Sequence, residues 1–196
     1  MTQLRPDLAL IAEHVAKGTR VLDVGCGDGT LLQVLRDARQ CQVNGMEIDP
    51  GDVAECVGQG LSVIQGDADK DLAFYPDGAF DYAILSQTLQ TTMRPDQVME
   101  ELLRIGRRAF VSFPNFAHWR VRLSLLWGGR MPVTRLLPVA WYETPNIHHV
   151  TVADFHAFVA ERGITVEQAW YLSGDRLRST GVANFRAEHA IFLLSR

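Results

Sequence analysis

The chain has 196 residues, 47% of them hydrophobic and 21% charged, with a formal net charge of −4. That length favours a single domain, 1–196, with a real core, and that apolar content excludes a disordered chain. The mild acidity argues against a general nucleic-acid binder, and no apolar run is long enough for a membrane span.

The first residues show no charged-then-apolar pattern with a small-residue cleavage site, so secretion is not expected. Cys26, Cys41 and Cys56 are scattered, with neither disulfide-framework nor metal-ligand spacing, so a reduced, cytoplasmic setting is expected. The charge is uneven. No Asp or Glu lies between Ile105 and Ala140, a stretch that carries Arg107, Arg108, Arg120, Arg122, Arg130 and Arg135. Trp119, Trp127 and Trp141 fall in it or just after it. The first half therefore reads as an acidic-rimmed scaffold and this stretch as a basic, aromatic appendage.

In chain order, "LRPDLALIAEHVAKG" predicts an N-terminal helix within residues 1–18, with Pro6 near its start and Gly18 as its stop. "RVLDVG" is a short buried strand, and "DGTLLQVLRDA" a helix that packs Leu31, Leu32, Val34 and Leu35 inward. Three strand signals follow, in "QVNGMEID", "LSVIQGD" and "FDYAILSQ", with the helix "PGDVAECVGQG" after the first of them. The helix "RPDQVMEELLRIG" leads into a fifth strand, "RAFVSFP". This alternation predicts an α/β fold with a mostly parallel sheet and helices on both faces. An insertion spans 113–150: "FAHWRVRLSLLWGG" is a candidate short helix, and the proline-bearing run to His149 an ordered loop. "TVADFHAFVAERG" is a helix capped by Thr151, and "ITVEQAWYL" and "HAIFLLS" complete a count of about seven strands.

The loop "DVGCGDG" joins the first strand to its helix. Gly25, Gly27 and Gly29 let backbone approach a ligand closely, and the helix's first N–H groups favour a small anionic group. The spacing is GxGxG, a poor fit to the dinucleotide fingerprint, and no GK[ST] follows to make a phosphate loop. Asp23 at the strand end repels a pyrophosphate and attracts a cationic ammonium or sulfonium. Glu47, about twenty residues past the glycines, is placed to accept from a ribose diol. Asp67, after the third strand, is placed to accept from an adenine amine. Ser86, Gln87 and Thr88 end the fourth strand beside the ligand's reactive end. The competing readings are plainer: a tight turn at the glycines, with Cys26 merely a small residue in it, helix caps at the acids, and solvated loop charges at Asp69 and Asp71.

This layout resembles class I S-adenosylmethionine-dependent methyltransferases over nearly the whole chain. The resemblance implies a Rossmann-like, seven-stranded sheet whose last strand is antiparallel. It places Asp23, Gly25, Cys26 and Gly27 along the methionine moiety, Glu47 and Ile48 at the ribose, Asp67 with Ala68 at the adenine, and Ser86 and Gln87 on the sulfonium side. From Arg20 onward, "VLDVGCGDGTLL", "GRMPVT" and "WYETPNIHH" are similar to the MetW family of methionine-biosynthesis proteins. That family is associated with homoserine O-acyltransferases of the MetX type. The resemblance thus implies an S-adenosylmethionine (or S-adenosylhomocysteine) site in an accessory protein, with the insertion as its partner surface.

The alternative is a small-molecule methyltransferase with the insertion as lid and His118 or His148 as base. His148 and His149 also read as a loop packed on the sheet. A nucleic-acid methyltransferase fits poorly, because Lys17 and Lys70 are the chain's two lysines and no NPPY-like or Pro-Cys motif occurs.

Overall fold

The computed structural model describes residues 4–134 and 137–196; Arg135 of the basic stretch lies outside the described residues. Eight strands form one sheet: β1 (Arg20–Val24), β2 (Gln42–Glu47), β3 (Val63–Gln65), β4 (Phe80–Ser86), β5 (Gly106–Pro114), β6 (Thr165–Ser173), β7 (Arg176–Leu177) and β8 (His189–Ser195). Their order is β3-β2-β1-β4-β5-β8-β6-β7. β3, β2, β1, β4 and β5 pair in parallel, and β8 runs antiparallel to both β5 and β6. The expected antiparallel last strand is therefore present. The count is eight rather than seven because β7 adds a two-residue hairpin, pairing Leu172 with Leu177 and Ser173 with Arg176. Two residues carry no alternation that a sequence could show.

The side-chain period of two divides the core between the faces. Leu22, Ala83, Leu85, Val111 and Phe192 point to one face, and Val21, Tyr82, Ile84, Phe110 and Ile191 to the other. α5 (Pro95–Ile105) and α7 (Val152–Glu161) cover the first face with Met99, Leu102, Phe155 and Val159. α1 (Pro6–His14) and α2 (Thr30–Arg39) cover the second with Ile11, Leu31 and Leu35. α3 (Pro50–Gly58) joins α2 through Cys56 against Leu32. Val34, expected inward, is half-buried.

α1 ends at His14, short of the expected stop at Gly18. α4 (Ala68–Asp71) and α8 (Thr180–Arg186) are short helices without a clear sequence period. In the insertion, α6 (Trp119–Gly128) is the expected short helix. α7 starts as expected, with the Thr151 side chain accepting from the Asp154 N–H. No helix among the described residues is long and apolar enough to cross a membrane.

Candidate functional site

The parallel strands β1, β2, β3 and β4 deliver Asp23, Glu47, Asp67 and Ser86 to one edge of the sheet, at or just after their C-terminal ends, where such sheets bind ligands. Three cavities meet there, and Gly25 lines all of them. The first arm, about 360 Å³, is lined by Glu47, Ile48, Asp67, Ala68 and Thr88. The second, about 370 Å³, is lined by Arg5, Asp23, Cys26, Gly27 and Thr30. The third is a chamber of about 660 Å³ under the insertion. Gly25 sits at φ +72°, and a Cβ there would collide with the Thr88 side chain. Gly27, at φ +52°, faces open space. Glycine is thus required at the first position by backbone and crowding, and at the second by backbone alone.

The loop's N–H groups are largely satisfied within the protein. Gly25 and Cys26 donate to the Met46 carbonyl at 2.8 and 3.3 Å, and Gly27 donates to Glu47 Oε2 at 2.8 Å. The Thr30 N–H donates to Asp28 at 3.0 Å. The expected cradle of free donors for a small anion is therefore mostly closed, and the glycines serve close approach instead. Cys26 is buried against Cys56 and Leu32, and burial pushes its thiol far above the ordinary value. That leaves no thiolate nucleophile at neutral pH.

Asp23 is 2% exposed, and its Oδ1 has no hydrogen-bond partner among the described residues. Burial pushes its pKa up to about 7; Arg5 pulls it down and Glu47 adds to the rise. A buried polar atom without a partner, on a cavity wall, is set to meet a donor from a ligand. Glu47 is also buried, with Oε1 accepting from the N–H groups of Ile48 and Asp49 at 2.7 and 3.0 Å. Asp67 caps α4, accepting from the Asp69 N–H at 3.0 Å and from Lys70 at 2.7 Å. The Lys70 bond holds its carboxyl below the usual range.

Asp69 and Asp71 are not solvated loop charges. Asp69 accepts from the N–H groups of Met93 and Arg94 at 2.8 and 2.9 Å, and Asp71 from the Asp67 N–H at 2.7 Å. Both hold backbone together around the first arm.

A buried group centred on Asp7 was missed in the sequence. Its Oδ2 accepts from Arg5 Nη2 at 3.2 Å, Ser86 Oγ at 3.1 Å, Gln87 Nε2 at 3.1 Å and Ser112 Oγ at 3.4 Å. This ties α1 to the ends of β4 and β5. Gln87 holds φ +54°, an unfavourable conformation for a side-chain-bearing residue. The only sequence signal was an acid on the apolar face of the first helix.

The histidines separate. His118 is 4% exposed at the start of α6, and burial lowers its pKa. It is not among the residues lining the chamber or either arm. His148 lines a separate 290 Å³ hollow with Leu89, Met99 and Phe155. His149 reaches both that hollow and the chamber. Phe116, Leu137, Val139 and Trp141 give the chamber apolar walls, so the insertion roofs a cavity. Its outer side is apolar too: Leu126, Trp127, Val133 and Tyr142 are 65–77% exposed.

A family model described as "Methionine biosynthesis protein MetW" matches residues 5–194. The chain belongs to the MetW family. It is 30% identical over 205 residues to the bifunctional methionine biosynthesis protein MetXA/MetW of Rhodopirellula baltica, covering 98% of this chain and 33% of that one. The chain thus spans about a third of the length of the curated relative it matches. Its fold is that of the class I methyltransferases. A Mesorhizobium loti S-adenosylmethionine-dependent methyltransferase superposes with TM-score 0.71 at 17% identity, covering 96% of each chain. The [4+2]-cyclase SpnF superposes with TM-score 0.69 at 20% identity, over 96% of this chain and 80% of that one. The chain thus shares its fold with proteins of different reactions, and the fold alone does not set the chemistry.

Proposed function

We propose that this MetW protein binds S-adenosylmethionine or S-adenosylhomocysteine and acts in the cytoplasm with a homoserine O-acyltransferase of the MetX type. The observation that carries the partner role is the Rhodopirellula relative, whose name joins MetXA and MetW in one chain. Fusion of two activities in one chain is what a functional pairing of separate proteins favours, because it raises their effective concentration. The exposed tryptophan and leucines of the insertion are residue types expected of interface anchors.

The ligand reading rests on the two arms that meet at Gly25. In it, the adenosine lies along the first arm, with Asp67 and Ala68 at the base and Glu47 and Ile48 at the ribose. The amino-acid tail lies in the second, along Asp23, Gly25, Cys26 and Gly27. Ser86 and Gln87 then border the sulfonium where the arms open into the chamber. Binding of such a ligand coupled to partner activity makes the protein a sensor of the pathway's product.

The chamber favours a second reading, transfer of the ligand's methyl group to a small acceptor. His148 and His118 are then the weaker candidates for a base, and His149 borders the chamber itself.

The deciding experiment is the acyl-transfer rate of the same organism's acyltransferase with and without this protein. A large rise, with co-elution on a sizing column, is expected. No rise and no complex would remove the partner role. Formation of S-adenosylhomocysteine from a panel of acceptors would then carry the second reading.

A further inference from the structure

The chamber under the insertion carries a buried acceptor that the protein leaves unmet. Gln90, 4% exposed, is one of its lining residues. Its Nε2 donates to the Gln87 carbonyl at 2.6 Å, which fixes the orientation of the amide and leaves Oε1 with no donor among the described residues. The Gln90 carbonyl accepts the N–H groups of Ile147 and His148 at 2.8 and 3.0 Å, so the residue is tied to the far end of the insertion. The hydroxyls of the same wall are already engaged. Ser86 donates to Asp7, Thr88 to the Ser86 carbonyl and Thr91 to the Thr88 carbonyl.

We propose that the chamber binds a small, uncharged aromatic molecule carrying one N–H or O–H group, which donates to Gln90 Oε1. Phe116 and Trp141 supply rings, and Pro114, Pro132, Pro138 and Pro145 supply rigid apolar faces. A flat apolar body gains most from such walls. Among the described residues no Asp or Glu lines the chamber, whereas Arg5 does. A cationic ligand therefore meets a like charge and no counter-ion. The site deepens the small-acceptor reading above by naming the class of molecule, and binding can be measured without methyl transfer.

A buried amide oxygen without a donor has lost its water and gained no partner. A ligand that brings a donor removes that deficit, and the same ligand with its donor methylated does not. Affinity thus comes from the walls and discrimination from one polar contact. The bonds that hold Gln90 run to the backbone of Gln87, Ile147 and His148, so the oxygen is in place before a ligand arrives. Gln90 is a specificity-determining residue in this scheme.

The test is ligand-detected NMR titration of wild type, Gln90→Met and Val139→Trp with indole, N-methylindole and tryptamine. Wild type is expected to bind indole roughly 10-fold more tightly than N-methylindole, which has no donor. Tryptamine, a cation, is expected to bind at least ~10-fold more weakly than indole. Gln90→Met is expected to bind indole and N-methylindole alike, with N-methylindole affinity unchanged because the walls are intact. Val139→Trp, which fills the chamber, is expected to weaken indole and N-methylindole together, at least ~10-fold. No binding of indole by wild type overturns the site, as does binding that Val139→Trp leaves untouched. Tryptamine as tight as indole, or a preference for indole that survives Gln90→Met, overturns the assigned class. The ligand series on wild type decides that class even where a variant fails to fold. The full binding pattern with no S-adenosylhomocysteine formed from aromatic acceptors supports the site and counts against the transfer reading alone.

Discussion

Glu47 at the tip of β2 accepts the backbone N–H of Gly27 at 2.8 Å, so one carboxylate ties the glycine loop after β1 to the neighbouring strand. Its other oxygen holds the N–H groups of Ile48 and Asp49. Glu47→Ala leaves three backbone donors without their acceptor. It is expected to cost about 1–3 kcal/mol of stability, read by thermal or urea denaturation. Loss of loop geometry is also expected to weaken S-adenosylhomocysteine at least ~10-fold. Unchanged stability would show that water replaces the carboxylate freely.

Asp23 makes stability depend on pH. Its pKa in the fold, about 7, lies above its ordinary value of 3.8, so the folded state holds the proton more tightly. Stability from this group is therefore full at low pH and falls as pH rises toward 7. Asp23→Asn removes the dependence. The variant is expected to be more stable than wild type at neutral pH, by an excess roughly 2–3 kcal/mol larger at pH 8 than at pH 5. Denaturation curves at the two pH values measure it; a constant difference would mean that Asp23 is ionised throughout.

On the proposed ligand reading, the same group gives binding a pH dependence. A ligand ammonium beside Asp23 favours its ionised form, so binding below pH 7 releases a proton. Arg5 and Glu47 act on the carboxyl with opposite signs. S-adenosylhomocysteine is expected to tighten up to ~10-fold from pH 6 to pH 8. 5′-Methylthioadenosine, without the ammonium, should show a flat profile. Parallel profiles for both ligands would place the titrating group elsewhere.

Asn115 fastens the end of β5 to two distant segments. Its amide donates to the carbonyls of Asn184 and Ala187 at 3.2 and 2.9 Å, and its oxygen accepts from the N–H groups of Ala117 and Val152 at 3.1 and 3.3 Å. It is fully buried. Asn115→Ala is expected to cost about 2–4 kcal/mol, since several buried backbone groups lose a partner at once. A loss under ~0.5 kcal/mol in urea denaturation would mean that these groups find other partners.

The two sides of the insertion separate the two functional readings. Leu126 and Trp127 face outward at 75% and 77% exposure, whereas Leu137 is buried on the chamber wall. Replacing Leu126 and Trp127 by Ala is expected to reduce acyltransferase activation at least ~10-fold, with ligand affinity and melting temperature unchanged. Activation that survives this double change would move the docking surface off α6.

Apart from the short α4, the strand and helix order of the first 114 residues was legible in the sequence because each element announces itself locally. Alternation marks the strands, apolar spacing the helices, and glycines the turn at Gly25. The acids Asp23, Glu47 and Asp67 were legible for the same reason: each lies at or just beyond a strand tip, and parallel strands bring their tips to one edge. What those acids bond to was not. Two partners of Asp7, Ser86 and Ser112, lie 79 and 105 residues away, and the carbonyls that accept from the Asn115 amide are 68 to 72 residues off on α8 and its end. Such bonds leave no periodic trace in a chain, since they depend on where the whole sheet carries each segment. The sequence alone determined the fold class and the edge where Asp23, Glu47 and Asp67 gather. Only the tertiary structure decided that Arg5 shares a cavity with Asp23, that the insertion roofs a chamber, and that His148 faces a separate hollow. Elements form from neighbours in sequence; a site forms from side chains that packing brings together.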